Sequence, residues 1–250
     1  MILTTPHTID MFDTAHDNTL RLESMARFFQ NLAVAHSTRA GAGPEMLLPK
    51  GLVWYLHRLE IRVHHYPLLG EQVRLATWSR GFRQYMGLRE YTITSDRGTA
   101  VTASSVWVFF NFHKNRILRV PEDMARAYAS DSKSQFEDEL YQWQPEKSEQ
   151  TAPQDHEIDM GLRYGDFDLN GHVNNTVYPG IVETLGYGAA QNHGGEMAKI
   201  RHLKLRLGKE IPLGTQAVSA GFREHDGRYH FKISGKGTSP SVHADGEFSF

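Results

Sequence analysis

Repetition is the feature that most restricts what this chain can fold into. Apolar residues recur at helical spacing through Leu22, Met25, Ala26, Phe29, Leu32, Ala33 and His36, and Gly41 and Gly43 end the run. Strand-like alternation follows from Leu52 to Tyr66, through Trp54, Leu56, Leu59, Ile61 and Val63, and is interrupted by Pro67 and Gly70. Further strands are predicted at Val73 to Ser79, Arg89 to Thr94 and Ala100 to Phe112, with a turn at Ser95-Asp96-Arg97-Gly98. The second half runs through the same landmarks in the same order. A helix after His172 answers the one around Met25, and Ile200 to Leu207 answers Leu59 to Val63. Pro212-Leu213-Gly214 echoes Pro67 to Gly70, and Gly237-Thr238 echoes Gly98-Thr99. A period of about 145 residues is too long for a solenoid and implies a duplicated domain. Helix followed by antiparallel strands, twice, is an α+β pattern.

A chain of 250 residues accommodates two such domains. Between them, from Pro121 to about Asp155, composition shifts to Ala, Ser, Gln and acidic residues with Pro145 and Pro153 as breakers. This predicts a short helix near Glu122 to Ala129 and then a linker, giving domains at 1–130 and 156–250 with 131–155 between them. A strand is expected at Ile9 to Thr14. The formal net charge of −2 provides no general attraction to nucleic acid or an anionic membrane, so neither is an expected partner. There is no cysteine, which excludes disulfides and thiolate chemistry and is compatible with a reducing cytoplasm, the expected location. No leader peptide is visible in Met1 to Asp10, and no run approaches the ~20 apolar residues of a membrane span.

Reactive side chains concentrate in Asp166 to Tyr178, Asp-Phe-Asp-Leu-Asn-Gly-His-Val-Asn-Asn-Thr-Val-Tyr. Asp168, Asn170 and His172 are spaced by two, so in extended backbone all three side chains leave on one side. Asn174, Asn175 and Thr176 are helix N-cap residues ahead of an apolar run, which predicts the cluster at a helix N-terminus, where backbone N–H groups favour negative charge. An amide donor, an imidazole titrating near neutrality and a carboxylate suit proton transfer and oxyanion stabilisation. The plainer reading is that the Asn and Asp side chains only cap the helix.

The pattern Asp168-x-Asn170-x-His172-Val173-Asn174-Asn175-x-x-Tyr178 resembles the second-half motif of the acyl-[acyl-carrier-protein] thioesterases. The resemblance extends through Met25-Ala26-Arg27-Phe28-Phe29-Gln30, His36, Gly41, Trp54 to Pro67, Thr77-Trp78-Ser79, Val106-Trp107-Val108 and Val120-Pro121-Glu122. It implies a tandem hotdog, each half a long helix wrapped by an antiparallel sheet, the first binding the acyl chain and the second catalytic. It implies hydrolysis of a fatty acyl thioester on acyl carrier protein through the phosphopantetheine arm, without metal or organic cofactor. The family's glutamate, four residues before a glycine, matches Glu210, so the implied catalytic set is Asp168, Asn170, His172 and Glu210. Within the repeat Glu210 corresponds to Tyr66 and His172 falls near Arg21, so the first half lacks that set. Phe28, Phe29, Trp54 and Leu56 are the expected acyl-chain wall.

Two positions depart from the family. Ile211 stands where plant members carry cysteine, and Tyr178-Pro179-Gly180-Ile181 replaces an aromatic three residues after the tyrosine, so Pro179 must sit in the first helical turn or kink the helix. Lys204 and Arg206, alternating with Leu203, Leu205 and Leu207, are expected on one sheet face, which reads either as a docking site for a phosphate or an acidic carrier protein or as a plain solvated face. Three rivals remain: a hydratase of the same fold, disfavoured because its motif has two residues, one a proline, between Asn and His; an acyl-CoA thioesterase; and a silent acyl-binding protein. Two fused halves are expected as a monomer or a homodimer.

Overall fold

The computed structural model describes residues 1–131, 133–136, 139–145, 154–192, 198–236 and 241–250, with residue 192 by its backbone alone. It divides into two compact units, Met1–Gln142 and Trp143–Phe250. The Gly237-Thr238 landmark and, in the expected linker, residues 132, 137–138 and 146–153 lie outside the described residues.

In the first unit β1 (Ile2–Thr8) leads through a short 3-10 turn at Met11–Asp13 to α1 (Leu22–Arg39). The strand expected at Ile9 to Thr14 is therefore displaced: Asp10 caps that turn, its carboxylate accepting from the N–H groups of Phe12 and Asp13. A one-turn helix, α2 (Pro44–Leu47), precedes β2 (Leu52–Val63), β3 (Gln72–Arg83), β4 (Met86–Ser95), β5 (Gly98–Asn111), the short β6 (Arg116–Ile117) and α3 (Glu122–Ala127). The antiparallel sheet has the order β1-β3-β4-β5-β2, with β6 on β5. The apolar positions predicted for α1 are all buried, each full burial of a Leu, Met or Phe contributing roughly 1.5–3 kcal/mol. Gly41, at φ 69°, follows the helix end in the left-handed conformation that glycine adopts without penalty.

The sheet contains an irregularity legible in hindsight. Apolar residues in β2 switch from even positions (Leu52, Trp54, Leu56) to odd ones (Leu59, Ile61, Val63), which would turn one set to the wrong face. A bulge between Leu56 and Arg58 absorbs the extra residue. A second bulge between Ser79 and Gly81 does the same in β3.

The segment that composition marks as the start of a linker packs onto this unit over 133–136 and 139–142. Phe136 and Leu140 are buried, the Trp78 indole donates to the Lys133 carbonyl at 2.9 Å, and Arg58 Nη1 donates to the Tyr141 carbonyl at 3.0 Å.

In the second unit β7 (His156–Gly161), a 3-10 turn at Tyr164–Asp166, α4 (Val177–Asn192), β8 (His202–Leu207), β9 (Ala217–His225), β10 (Arg228–Ser234) and β11 (Val242–Ser249) repeat that layout. The order β8-β11-β10-β9-β7 is the counterpart, strand for strand, of the first sheet. Tyr178, Ile181, Val182, Leu185 and Ala189 form the buried stripe of α4. Pro179 is the third residue of that helix, where its missing N–H has no intrahelical partner to lose. Among the described residues no helix is long and apolar enough to cross a membrane.

Candidate active site

The stretch from Asp166 is a closed turn rather than extended chain. Phe167 and Val173 form an isolated antiparallel bridge, and within it the Asp168 N–H donates to the His172 carbonyl at 2.8 Å and the Gly171 N–H to the Asp168 carbonyl at 3.0 Å. Asp168 Oδ1 accepts the Asn170 backbone N–H at 2.8 Å and Oδ2 accepts the Asn170 side-chain amide at 3.3 Å, so the carboxylate fixes the orientation of that amide. Gly171 reverses the chain at φ 74°. Asn18, its counterpart in the first unit, holds φ 63°. Gly171→Asn is therefore expected to leave the melting temperature and activity near wild type, whereas Gly171→Val, β-branched at a positive φ, is expected to cost about 1–3 kcal/mol in urea unfolding. Equal effects from the two substitutions would contradict this account of the turn.

A second segment completes the site. The Val173 N–H donates to the Ile211 carbonyl at 2.9 Å and the Leu213 N–H to the Gly171 carbonyl at 2.8 Å, which aligns His172 with Pro212 as a bridge. Glu210 consequently lies beside the imidazole, with His172 Nε2 and Glu210 Oε2 3.2 Å apart. Both side chains stay open to water, 32% and 43% exposed. The motif also contains a buried group that residue chemistry did not single out. The Tyr178 phenol is buried and its pKa is raised, first by that burial and then by the charges of Glu210 and Asp168. The Asp168–Asn170 couple and the His172–Glu210 couple are held near each other by the 168–172 turn and its bridge to Pro212.

The expectation of a helix N-terminus directly under the cluster is corrected. Helix α4 begins at Val177, and the N–H groups of Thr176 and Val177 are taken by Asn174, through its side-chain oxygen and its carbonyl, both at 3.0 Å.

The first unit builds the same scaffold without the reactive groups. Five backbone hydrogen bonds recur, from Ala15 to Thr19, Asn18 to Ala15, Leu20 to Pro67, Leu69 to Asn18 and Arg21 to Asp13. They match Asp168 with Ala15, Asn170 with Asp17, His172 with Thr19 and Glu210 with Tyr66. The counterpart of His172 is thus Thr19, two residues before the Arg21 expected from spacing, because the turn lengths and not the helix starts set the correspondence.

An apolar pocket of about 110 Å³ lies within the first unit, walled by Ala33 and Ser37 of α1, by Leu47 and Leu52, and by Trp54, Phe82 and Leu88 of the sheet. Of the expected wall residues Trp54 lines it. Phe28 is turned to the His7 ring (4.5 Å between centroids) and Phe29 to Tyr91 (4.7 Å), both buried in the helix–sheet core, and Leu56, beside the β2 bulge, is not among the lining residues. Lys204 and Arg206 do not form an open cationic patch. Arg206 Nε donates to Asp245 Oδ1 at 2.8 Å and its Nη1 to Gln144 at 2.9 Å, while Lys204 Nζ lies 3.9 Å from Glu247. Strand β11 places those two carboxylates opposite them in register, which answers their charge inside the sheet.

Two solved structures share the architecture over nearly their whole length. An acyl-ACP thioesterase from Bacteroides thetaiotaomicron aligns with a TM-score of 0.81 at 19% identity, covering 99% of this chain and 98% of that one. A 12:0-ACP thioesterase from Umbellularia californica aligns at 0.78 and 16%, covering 99% and 96%. Two helix-on-sheet units in one chain, with this topology, define a tandem hotdog protein. The acyl-ACP thioesterase N-terminal domain profile matches residues 3–128 and the acyl-ACP thioesterase C-terminal domain profile residues 148–244, so the chain belongs to the acyl-ACP thioesterase family. A palmitoyl-acyl carrier protein thioesterase, chloroplastic, from Cuphea hookeriana is 30% identical over 189 residues, 70% of this chain and 44% of its own length. The chain spans about half the length of the curated relatives it matches.

Proposed function

We propose that the chain hydrolyses fatty acyl thioesters carried on acyl carrier protein, releasing a fatty acid and the carrier's thiol, as a step of fatty acid synthesis. The observation that carries this reading is the 3.2 Å approach of His172 Nε2 to Glu210 Oε2 beside an amide held by Asp168. The His172–Glu210 pair takes a proton from water as that water attacks the thioester carbonyl. The carbonyl oxygen, gaining charge, accepts from the Asn170 amide, whose carbonyl end is kept away by the Asp168 contact. Collapse of the intermediate breaks the C–S bond, and the departing sulfur receives the proton. Under this reading the second unit is catalytic, over about 156–250, and the first, about 1–130, holds the acyl chain in its apolar pocket. The carrier is the proposed partner and the cytoplasm the proposed compartment.

Carrier protein rather than CoA is the proposed donor. With one acyl chain presented on both, kcat/KM is expected to favour the carrier by at least about tenfold, measured by colorimetric thiol release. Equal rates would make the enzyme an acyl-CoA thioesterase, and tight acyl-ACP binding with no thiol released would make it a silent acyl carrier.

A further inference from the structure

The first unit's apolar pocket contains one charged group, Arg89 of β4, only 6% exposed and part of the wall. A buried cation ordinarily meets a carboxylate, since an unpaired one forfeits its hydration without return. Arg89 meets hydroxyls instead. Its Nη1 donates to Thr77 Oγ1 at 3.3 Å and its Nη2 to Ser37 Oγ at 3.4 Å, and the Tyr128 ring lies 5.9 Å from its Cζ. Among the described residues no carboxylate pairs with it. Neighbouring Glu90 is engaged elsewhere, with Ser104 Oγ at 3.1 Å and the Gln135 N–H at 3.2 Å. His36, whose pKa is lowered to about 4 by burial and by the charge of Arg89, offers no negative charge either. A second donor stands in the same wall: the buried indole N–H of Trp54 makes no hydrogen bond of good geometry, and the oxygen it approaches is the Tyr128 hydroxyl, which itself donates to Ser37 Oγ at 2.9 Å. The pocket is thus apolar, and its buried cation and indole N–H meet hydroxyl oxygens rather than a carboxylate among the described residues.

We propose that this pocket binds an aliphatic carboxylate, its head group on Arg89 and the Trp54 N–H and its chain against Leu47, Leu52, Phe82 and Leu88. The ligand is either a free fatty acid entering head first or the far end of an acyl chain that carries a terminal carboxylate. The inference deepens the acyl-pocket reading above. Calorimetry with decanoate and decan-1-ol at pH 8 on wild type and Arg89→Met tests it, because the alcohol reads the apolar wall alone. Decanoate is expected to lose on the order of ten- to a hundredfold in affinity in the variant, as for a hydrogen bond to a charged group, while decan-1-ol changes less than about threefold. Equal changes for both ligands, or none for decanoate, overturn the proposal and leave the acyl pocket standing. Binding of neither ligand to wild type overturns both. Should Arg89→Met fail to fold, wild-type affinity decides: decanoate no tighter than decan-1-ol refutes it. The source is separated by kinetics, since faster hydrolysis of a terminally carboxylated thioester than of its methyl-ended analogue, lost in Arg89→Met, marks the substrate, and binding without that preference marks the free acid.

Discussion

His172→Ala, Glu210→Ala and Asn170→Ala are each expected to lower kcat on an acyl-ACP substrate by on the order of 10²- to 10⁴-fold, the usual worth of a general base or an oxyanion donor. KM and melting temperature should move little, because His172 and Glu210 are partly open to water and neither supports the core. The His172→Ala, Glu210→Ala double variant should be no slower than the worse single one, since the two groups handle one proton between them and their losses do not add. Asp168→Asn is expected to cost less, because its amide oxygen still accepts the Asn170 N–H. Steady-state thiol release is the measurement, and near-wild-type turnover in all three alanine variants would remove the proposed mechanism.

Stability is expected to show an equally large effect of a different kind, in which two buried groups cancel. Glu90, wholly buried, is pushed up to about 7, first by that burial and against the Gln135 N–H and Arg80. The native state therefore holds this proton more tightly than the unfolded chain, and Glu90 removes stability as pH rises from about 4.5 to 7. His36, also wholly buried, is lowered to about 4, so the native state binds that proton less tightly and stability falls as pH drops from about 6.5 to 4. Each amounts to about 3 kcal/mol at full extent, on nearly the same pH interval and with opposite sign. Urea unfolding should find that Glu90→Gln gains about 3 kcal/mol on wild type between pH 4.5 and 7, with His36→Gln showing the reverse slope. Stability profiles parallel to wild type in both variants would refute the pair.

Much of the architecture was legible because it rests on local periodicity. The buried face of α1, the turn before Gly98 and the repeated order of elements follow from side-chain spacing within single segments. The candidate site was half legible. Asp168, Asn170 and His172 are close in the chain and announce themselves, and Glu210 was reached through the family resemblance. Tyr178 was visible as part of a motif, but nothing in its neighbours signals that its phenol is buried near the site. At Phe28 and Phe29 helical spacing identified a buried face without saying whether it meets a cavity or a packed ring, and the rings they meet are those of His7 and Tyr91.

By itself the sequence determined that two like units are present, that cysteine thiol chemistry is absent, and that the Asp-x-Asn-x-His cluster stands in the second unit with no copy in the first. Those conclusions need only residue identity and short-range order. Tertiary structure alone decided that His172 meets Glu210, that β11 carboxylates occupy Lys204 and Arg206, and that Arg89 faces a pocket without a counter-charge. Each depends on the register between segments far apart in the chain, and a single bulge, such as the one before Arg58, shifts that register by a residue and exchanges what a side chain meets.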